Sequence, residues 1–119
     1  MAIPKTFNAA YDLYRLVGAN TTNATVVKST SGKVFGYIVN NVNAAARYLK
    51  LYDKATAPTV GTDTPKMTIM IPAASTQTFF MRDGVEFTSG ISFATTTGLV
   101  DSDTGAISAN ESVIQILYK

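Results

Sequence analysis

The chain contains no cysteine, no histidine and no tryptophan. Without cysteine there is no disulfide and no thiolate metal site. Without histidine the commonest general base and the commonest metal ligand are both missing. Charge is sparse as well: 15% of residues are charged against 46% apolar, so much of the surface must be Thr, Ser, Asn, Gly and Ala rather than salt-bridged side chains. The formal charge is +2, and the ten basic residues are scattered from Lys5 to Lys119 without a stripe. Nucleic-acid binding, which needs such a stripe, is therefore not expected. No run nears the roughly 18 apolar residues that span a bilayer, and the first residues, MAIPKTFNAA, lack the basic start and apolar core of a signal peptide, so neither membrane insertion nor secretion is expected.

What is present reads as strand. Residues 33–53, KVFGYIVNNVNAAARYLKLYD, form two β arms around a polar turn, the apparent central hairpin. In the first arm Val34, Ile38 and Val42 are expected on one face, with Phe35, Tyr37 and Val39 making both faces apolar. In the second, Leu49 and Leu51 share a face with Arg47, while Tyr48 and Tyr52 flank Lys50 on the other, a half-buried pattern. The linking Asn40, Asn41 and Asn43 suit a tight connection because asparagine tolerates left-handed backbone.

Around this pair, residues 1–10 are expected to be an extended arm, since Pro4 biases Ile3 away from helix. Residues 11–17, YDLYRLV, fit either a short helical face or a strand with Tyr11, Leu13, Arg15 and Val17 together. Their aromatics and the following Gly18 favour strand. Residues 22–29 form another strand, giving four antiparallel segments in sequence. Residues 54–66 are too polar and too rich in proline for a ladder, and a loop this long is usually functional or touches a partner. Met67, Ile69 and Ile71 alternate inward. Residues 76–82 and 85–87 are separated by an Asp83-Gly84 turn, residues 91–97 follow, 98–110 make a second long loop, and 111–119 close the sheet. About eight strands at a cadence of roughly 8 to 12 residues predict a single all-β domain over residues 11–119, an antiparallel β-sandwich of jelly-roll type preceded by the arm.

Candidate chemistry is thin. Asp101-Ser102-Asp103-Thr104-Gly105 starts like a calcium loop, but Gly105 stands where a fifth-position ligand belongs and no acid follows at the bidentate position, so an exposed turn is expected. The acids Asp53, Asp63, Asp83, Asp101 and Asp103 lie in turns rather than as a facing pair across a cleft. No nucleophile elbow, phosphate loop or dinucleotide fingerprint occurs, so neither catalysis nor a cofactor is expected. Tyr37, Tyr48, Tyr52, Phe79, Phe80 and Tyr118 could stack on a sugar, although core and inter-subunit packing is the simpler use. The tripeptides beginning at Asn20, Asn23 and Asn110 match a glycosylation acceptor but are read as turns.

Residues 23–65 carry an NATVVK strand, a turn ending in Gly32, a KVFG strand start, an NVNAAARYLKLY stretch and an ATAPTVGTDTP loop. Together with GISFATTTG at 90–98, a DSDTGA loop and the terminal LYK, they resemble a group of small virion structural proteins of tailed phages. The resemblance covers nearly the whole chain after the arm. It implies a non-enzymatic protein that decorates or cements the outer capsid lattice by contact with the major capsid protein, as a homo-oligomer with a trimer favoured. The alternative is a tail or head-fibre module that binds a receptor or glycan. Expected contact residues are Ile3, Pro4 and Phe7 of the arm, Pro58, Val60, Asp63 and Pro65 of the first long loop, and Asp101, Asp103 and Ile107 of the second.

Overall fold

The computed structural model describes residues 11–119. The expected arm, with Ile3, Pro4 and Phe7, lies outside the described residues. Eight strands are present: β1 (Asp12–Val17), β2 (Thr25–Lys28), β3 (Gly32–Asn41), β4 (Arg47–Asp53), β5 (Met67–Ile71), β6 (Ser75–Phe87), β7 (Ile91–Thr96) and β8 (Val113–Tyr118). They form two four-stranded antiparallel sheets, β1-β8-β3-β6 and β2-β7-β4-β5. The all-β sandwich expected from the strand cadence is what forms.

The pairing is not what the sequence suggests. β3 and β4 do not make a hairpin; β3 pairs with β8 and β6 in one sheet, and β4 with β7 and β5 in the other. Nor do the first four strands pair in sequence, since β1 takes β8 and β2 takes β7. Among the described strands β4 and β5 alone are both consecutive and paired.

Residues 42–46 therefore carry the chain from one sheet to the other, and the asparagines serve as hydrogen-bonding groups. Asn40, Asn41 and Asn43 all have negative φ. The buried Asn41 amide donates to the carbonyls of Ala45, Ile71 and Pro72, and its Oδ1 accepts from the Asn43 amide at 2.9 Å. A crossing segment leaves sheet-edge carbonyls without ladder partners, and a side-chain amide supplies them.

Between the sheets Val34, Val39, Ile114, Ile116 and Phe87 meet Leu49, Leu51, Ile69, Ile71, Ile91 and Phe93 in one buried cluster. The register shift between Val34 and Gly36 explains why strict alternation misplaces β3: Val34 and Val39 are in the core, Ile38 is on the outside, and Val42 is 72% exposed. Opposite that shift, residues 81–84 of β6 stand against a single residue, Phe35, as a bulge. Gly84 has φ +73°, and a Cβ there would meet the Phe35 ring at 2.9 Å. The expected turn at Asp83-Gly84 is thus an irregularity inside one long strand.

Candidate functional site

The two outer faces of the sandwich are finished differently. On the face of β2-β7-β4-β5, Lys50 and Tyr52 of β4 and Ser92, Ala94 and Thr96 of β7 should meet solvent by the alternation of strands, yet all are buried. Their cover is the chain itself. The connection 54–66 and the connection 97–112 fold back over this face and touch each other where Gly61, at φ +89°, lies against Thr104 and Ser102. Lys66 donates its backbone N–H to the Leu51 carbonyl and Lys54 to that of Gly90, which fastens the first connection along β4.

Polar pins hold the cover. The Lys50 ammonium, sealed beneath it, donates to the Val100 carbonyl at 2.6 Å. Burial pulls its pKa down, and the nearby Asp103 and Asp101 carboxylates push it back up. Tyr52 is 1% exposed, and no group of the described residues is within hydrogen-bonding reach of its hydroxyl. Its pKa is raised by burial first, then by Asp63 and Asp101. Asp63 pairs with the Lys54 ammonium at 2.5 Å and accepts from the Thr59 amide, bonds that hold its pKa below the ordinary carboxylate value. Asp53 spans the start of β7, accepting from the amides of Thr88, Ser89 and Gly90 and the Thr88 hydroxyl.

At the far end of the second connection, Glu111 is buried. Its carboxylate accepts from Arg47 Nε at 2.7 Å, from the Ser108 amide at 3.0 Å and from Asn43 Nδ2 at 2.7 Å. Burial alone would raise its pKa, but these three donors and the Arg47 charge outweigh that and hold it below the ordinary value. One carboxylate thereby ties the loop to the sheet crossing.

The loop residues expected to touch partners fall on this cover. Pro58 and Ile107 are buried, and Val60, Asp63, Pro65 and Asp103 are half-buried. Asp103 Oδ1 accepts from the Gly105 amide at 2.8 Å, so the calcium-like stretch closes as a turn of its own. Among the described residues no three acidic side chains gather in a way that would hold a metal. Asp63 and Asp101 both bear electrostatically on the buried Tyr52 hydroxyl, whereas Ile107 lies beside Gly18. Of the expected loop contact residues Asp101 is the exposed one, and beside it the large apolar side chains Leu99 and Val100 are 59% and 61% exposed. Asn23, in one glycosylation-like tripeptide, is buried, and its amide donates to the carbonyls of Ala19 and Thr21 and to the Thr95 hydroxyl.

The other outer face is left uncovered by the described residues. Antiparallel register puts directly opposed residues on the same side, so Leu13, Arg15 and Val17 of β1 line up with Leu117, Gln115 and Val113 of β8. Gly36 and Ile38 of β3 continue those rows to Phe80 and Thr78 of β6. Leu13 is 55% exposed, Val17 41% and Phe80 60%. Tyr11 and Phe35, with ring centroids 4.7 Å apart, extend the patch at one end. Gly36 permits this: a Cβ there would strike the Phe79 carbonyl and the Phe80 ring. Arg15 is the one charged residue in these rows. Sequence alternation already groups Tyr11, Leu13, Arg15 and Val17; it gives no sign that β8 and β6 widen them into a surface.

Comparison with protein-family models, with curated proteins and with solved structures finds no match to this chain.

Proposed function

We propose that this chain is a structural protein of a tailed-phage virion that decorates or cements the outer capsid lattice, seated through the bare face of β1-β8-β3-β6. The observation that carries the reading is that face: Leu13, Val17 and Phe80 stand exposed on it, uncovered by any described residue, and exposed apolar side chains grouped on one sheet face mark a contact surface. Its chemistry defines the partner. A single cation, Arg15, in rows that are otherwise uncharged matches a largely apolar protein surface bearing one carboxylate, whereas two copies packed face to face would bring two like charges together. The sequence resemblance over residues 23–65 and beyond names the major capsid protein as that partner. The nested strand pairing, β1 with β8, β2 with β7, β3 with β6 and β4 with β5, supports a jelly-roll reading of the sandwich. Leu99 and Val100 give a second, smaller contact.

The test is co-sedimentation with capsids lacking this protein. Leu13→Glu combined with Val17→Glu is expected to abolish binding while the unfolding midpoint stays put, because both side chains already face water. Binding that survives the double variant removes the proposal. A host-binding module is the second reading, favoured by Phe79, which stacks on Tyr37 at 6.0 Å and is still 50% exposed. Stacked, exposed rings are a sugar platform, and binding to a glycan array that Phe79→Ala eliminates would move the assignment there.

A further inference from the structure

The four sheet edges of this sandwich are not alike. An edge strand carries unpaired backbone N–H and C=O groups, and proteins blunt it with charge, proline, bulges or brevity. β1 carries Asp12 and Arg15. β2 is four residues long, ends in Lys28 and has a register shift. β5 is five residues long and closed by Pro72. The second half of β6 has the bulge at 81–84, with Arg82 and Asp83. Residues 75–80, STQTFF, have none of these devices: no charge, no proline, and unbroken register with β3 from Asn41↔Ser75 to Gly36↔Phe80; Met81, where the bulge begins, is uncharged as well.

Two neighbouring aromatics mark the same stretch. Phe79 and Phe80 point to opposite faces of the strand, yet they are 50% and 60% exposed. Ordinarily the inward ring of such a pair is covered. Here hydrophobic surface flanks, on both sides, a backbone edge that no described strand pairs, and a strand laid beside β6 would cover both rings and satisfy the edge at once.

We propose that the β6 edge is a self-association site, at which residues 75–81 pair antiparallel with the same residues of a second copy about a two-fold axis through Thr78. Three features select a second copy as the occupant. The stretch is uncharged, so its own image opposes no like charges. The midpoint of 75–81 is Thr78, and that register uses the regular segment 75–80 and only the first bulge residue, Met81, stopping short of Arg82 and Asp83. It sets Phe80 opposite Thr76 of the second copy, and Phe79 opposite Gln77 of the second copy, so aromatic rings lie over small or flexible neighbours. Residues 75–81 span about 24 Å, and an edge of that length and about 20 Å depth buries ~500 Å² per copy, at the lower limit of a specific interface. The association is accordingly concentration-dependent.

The axis runs perpendicular to the sheet, so the two sheets join as one eight-stranded sheet with both bare faces on the same side. If the capsid-docking reading holds, the dimer presents two docking faces together and binds by avidity. The pairing itself stands on the edge and not on that reading. It replaces threefold association with twofold.

Sedimentation velocity of the purified full chain between about 1 and 100 μM, the range expected for an interface this small, tests it. The wild type is expected to move from monomer to dimer. Thr78→Lys, on an exposed outer-face position, is expected to remain folded and to weaken the dimer at least about tenfold, since like charges directly opposite repel. Thr78→Glu should do the same, and mixing the two variants should restore a dimer, a rescue that loss of folding could not mimic. Thr76→Lys is the second edge variant if Thr78→Lys unfolds. A wild type that stays monomeric throughout, a trimer, or a dimer indifferent to Thr78→Lys overturns the proposal. A wild type that dimerises but does not bind capsids would count against the docking reading alone.

Discussion

Two sheets of the same size, built from similar alternating residues, end up with opposite outer surfaces. The face carrying Lys50 and Tyr52 is sealed, and the face carrying Leu13 and Phe80 is open. Nothing in the strands themselves decides this. β4 places a lysine and a tyrosine on its outer side and both are buried; β1 places a leucine and a valine there and both are exposed. The long connections decide it, because 54–66 and 97–112 both return over one face and neither over the other. A strand face is buried by whatever crosses it, and apolar composition alone does not say which face that will be.

The comparison breaks most visibly at Tyr52. Tyr52→Ala is expected to cost about 3 to 5 kcal/mol, the loss of a large fully buried side chain plus the cavity beneath the loops. Chemical denaturation measures it, and a cost near that of a surface change would mean that the cover collapses into the gap.

Next in size is Glu111, the clasp of the cover. Glu111→Gln is expected to cost about 1 to 3 kcal/mol near neutral pH, because the half-buried Arg47 loses its charged acceptor. The pH dependence follows from the lowered pKa. A carboxyl whose folded pKa lies below its unfolded value stabilises the fold above the unfolded value, and that contribution disappears as pH falls through the folded one. Wild-type stability should therefore decline in acid from the ordinary 4.5 downward, and the variant should show a shallower decline. Parallel acid limbs would place the effect elsewhere, in Asp53 or Asp63, whose pKa values are also held down.

Lys50 sharpens the contrast from the other side. Lys50→Met replaces a buried ammonium with an apolar chain of similar length and should leave global stability within about 1 kcal/mol of wild type, or raise it, because burying the charge is costly. The loop should nevertheless loosen without the bond to the Val100 carbonyl. Faster amide exchange in residues 98–103, with the rest of the chain unchanged, is the expected signature. Smallest of all is Leu13→Ser on the open face, expected within about 0.5 kcal/mol. A large loss there would show that the open face is covered in solution.

Strand positions were legible in the sequence because the period-two pattern is local: MTIMI, ESVIQILYK and KVFGYIVNN each announce themselves. Pairing was not, because it depends on partners far along the chain. The Asn-rich link between β3 and β4 resembles a hairpin turn in composition, and only the side-chain bonds of Asn41 to Ile71 and Pro72, thirty positions away, show that it spans two sheets. The bulge in β6 was invisible for a related reason: Asp-Gly is a turn signal, and Gly84 does adopt positive φ, but the strand resumes against the same neighbour. The long loops were recognised, and two of their expected contact residues, Pro58 and Ile107, proved to be apolar because they pack inward.

The strand order also sets a timetable for synthesis. Asp12 pairs with Tyr118, so β1 waits for β8, about a hundred residues later in synthesis, before that edge is satisfied. β2 waits for β7, and β3 for β6 and β8. The nearest partners, β4 and β5, are the earliest place where a ladder can start, with closure proceeding outward from them and the costly long-range pairings last. Folding during translation is thus confined to a small inner ribbon, and the nascent chain carries several unpaired strand edges through most of its elongation. A chaperone that shields such edges, or a brisk rate of synthesis, would matter more to the yield of this protein than its final stability.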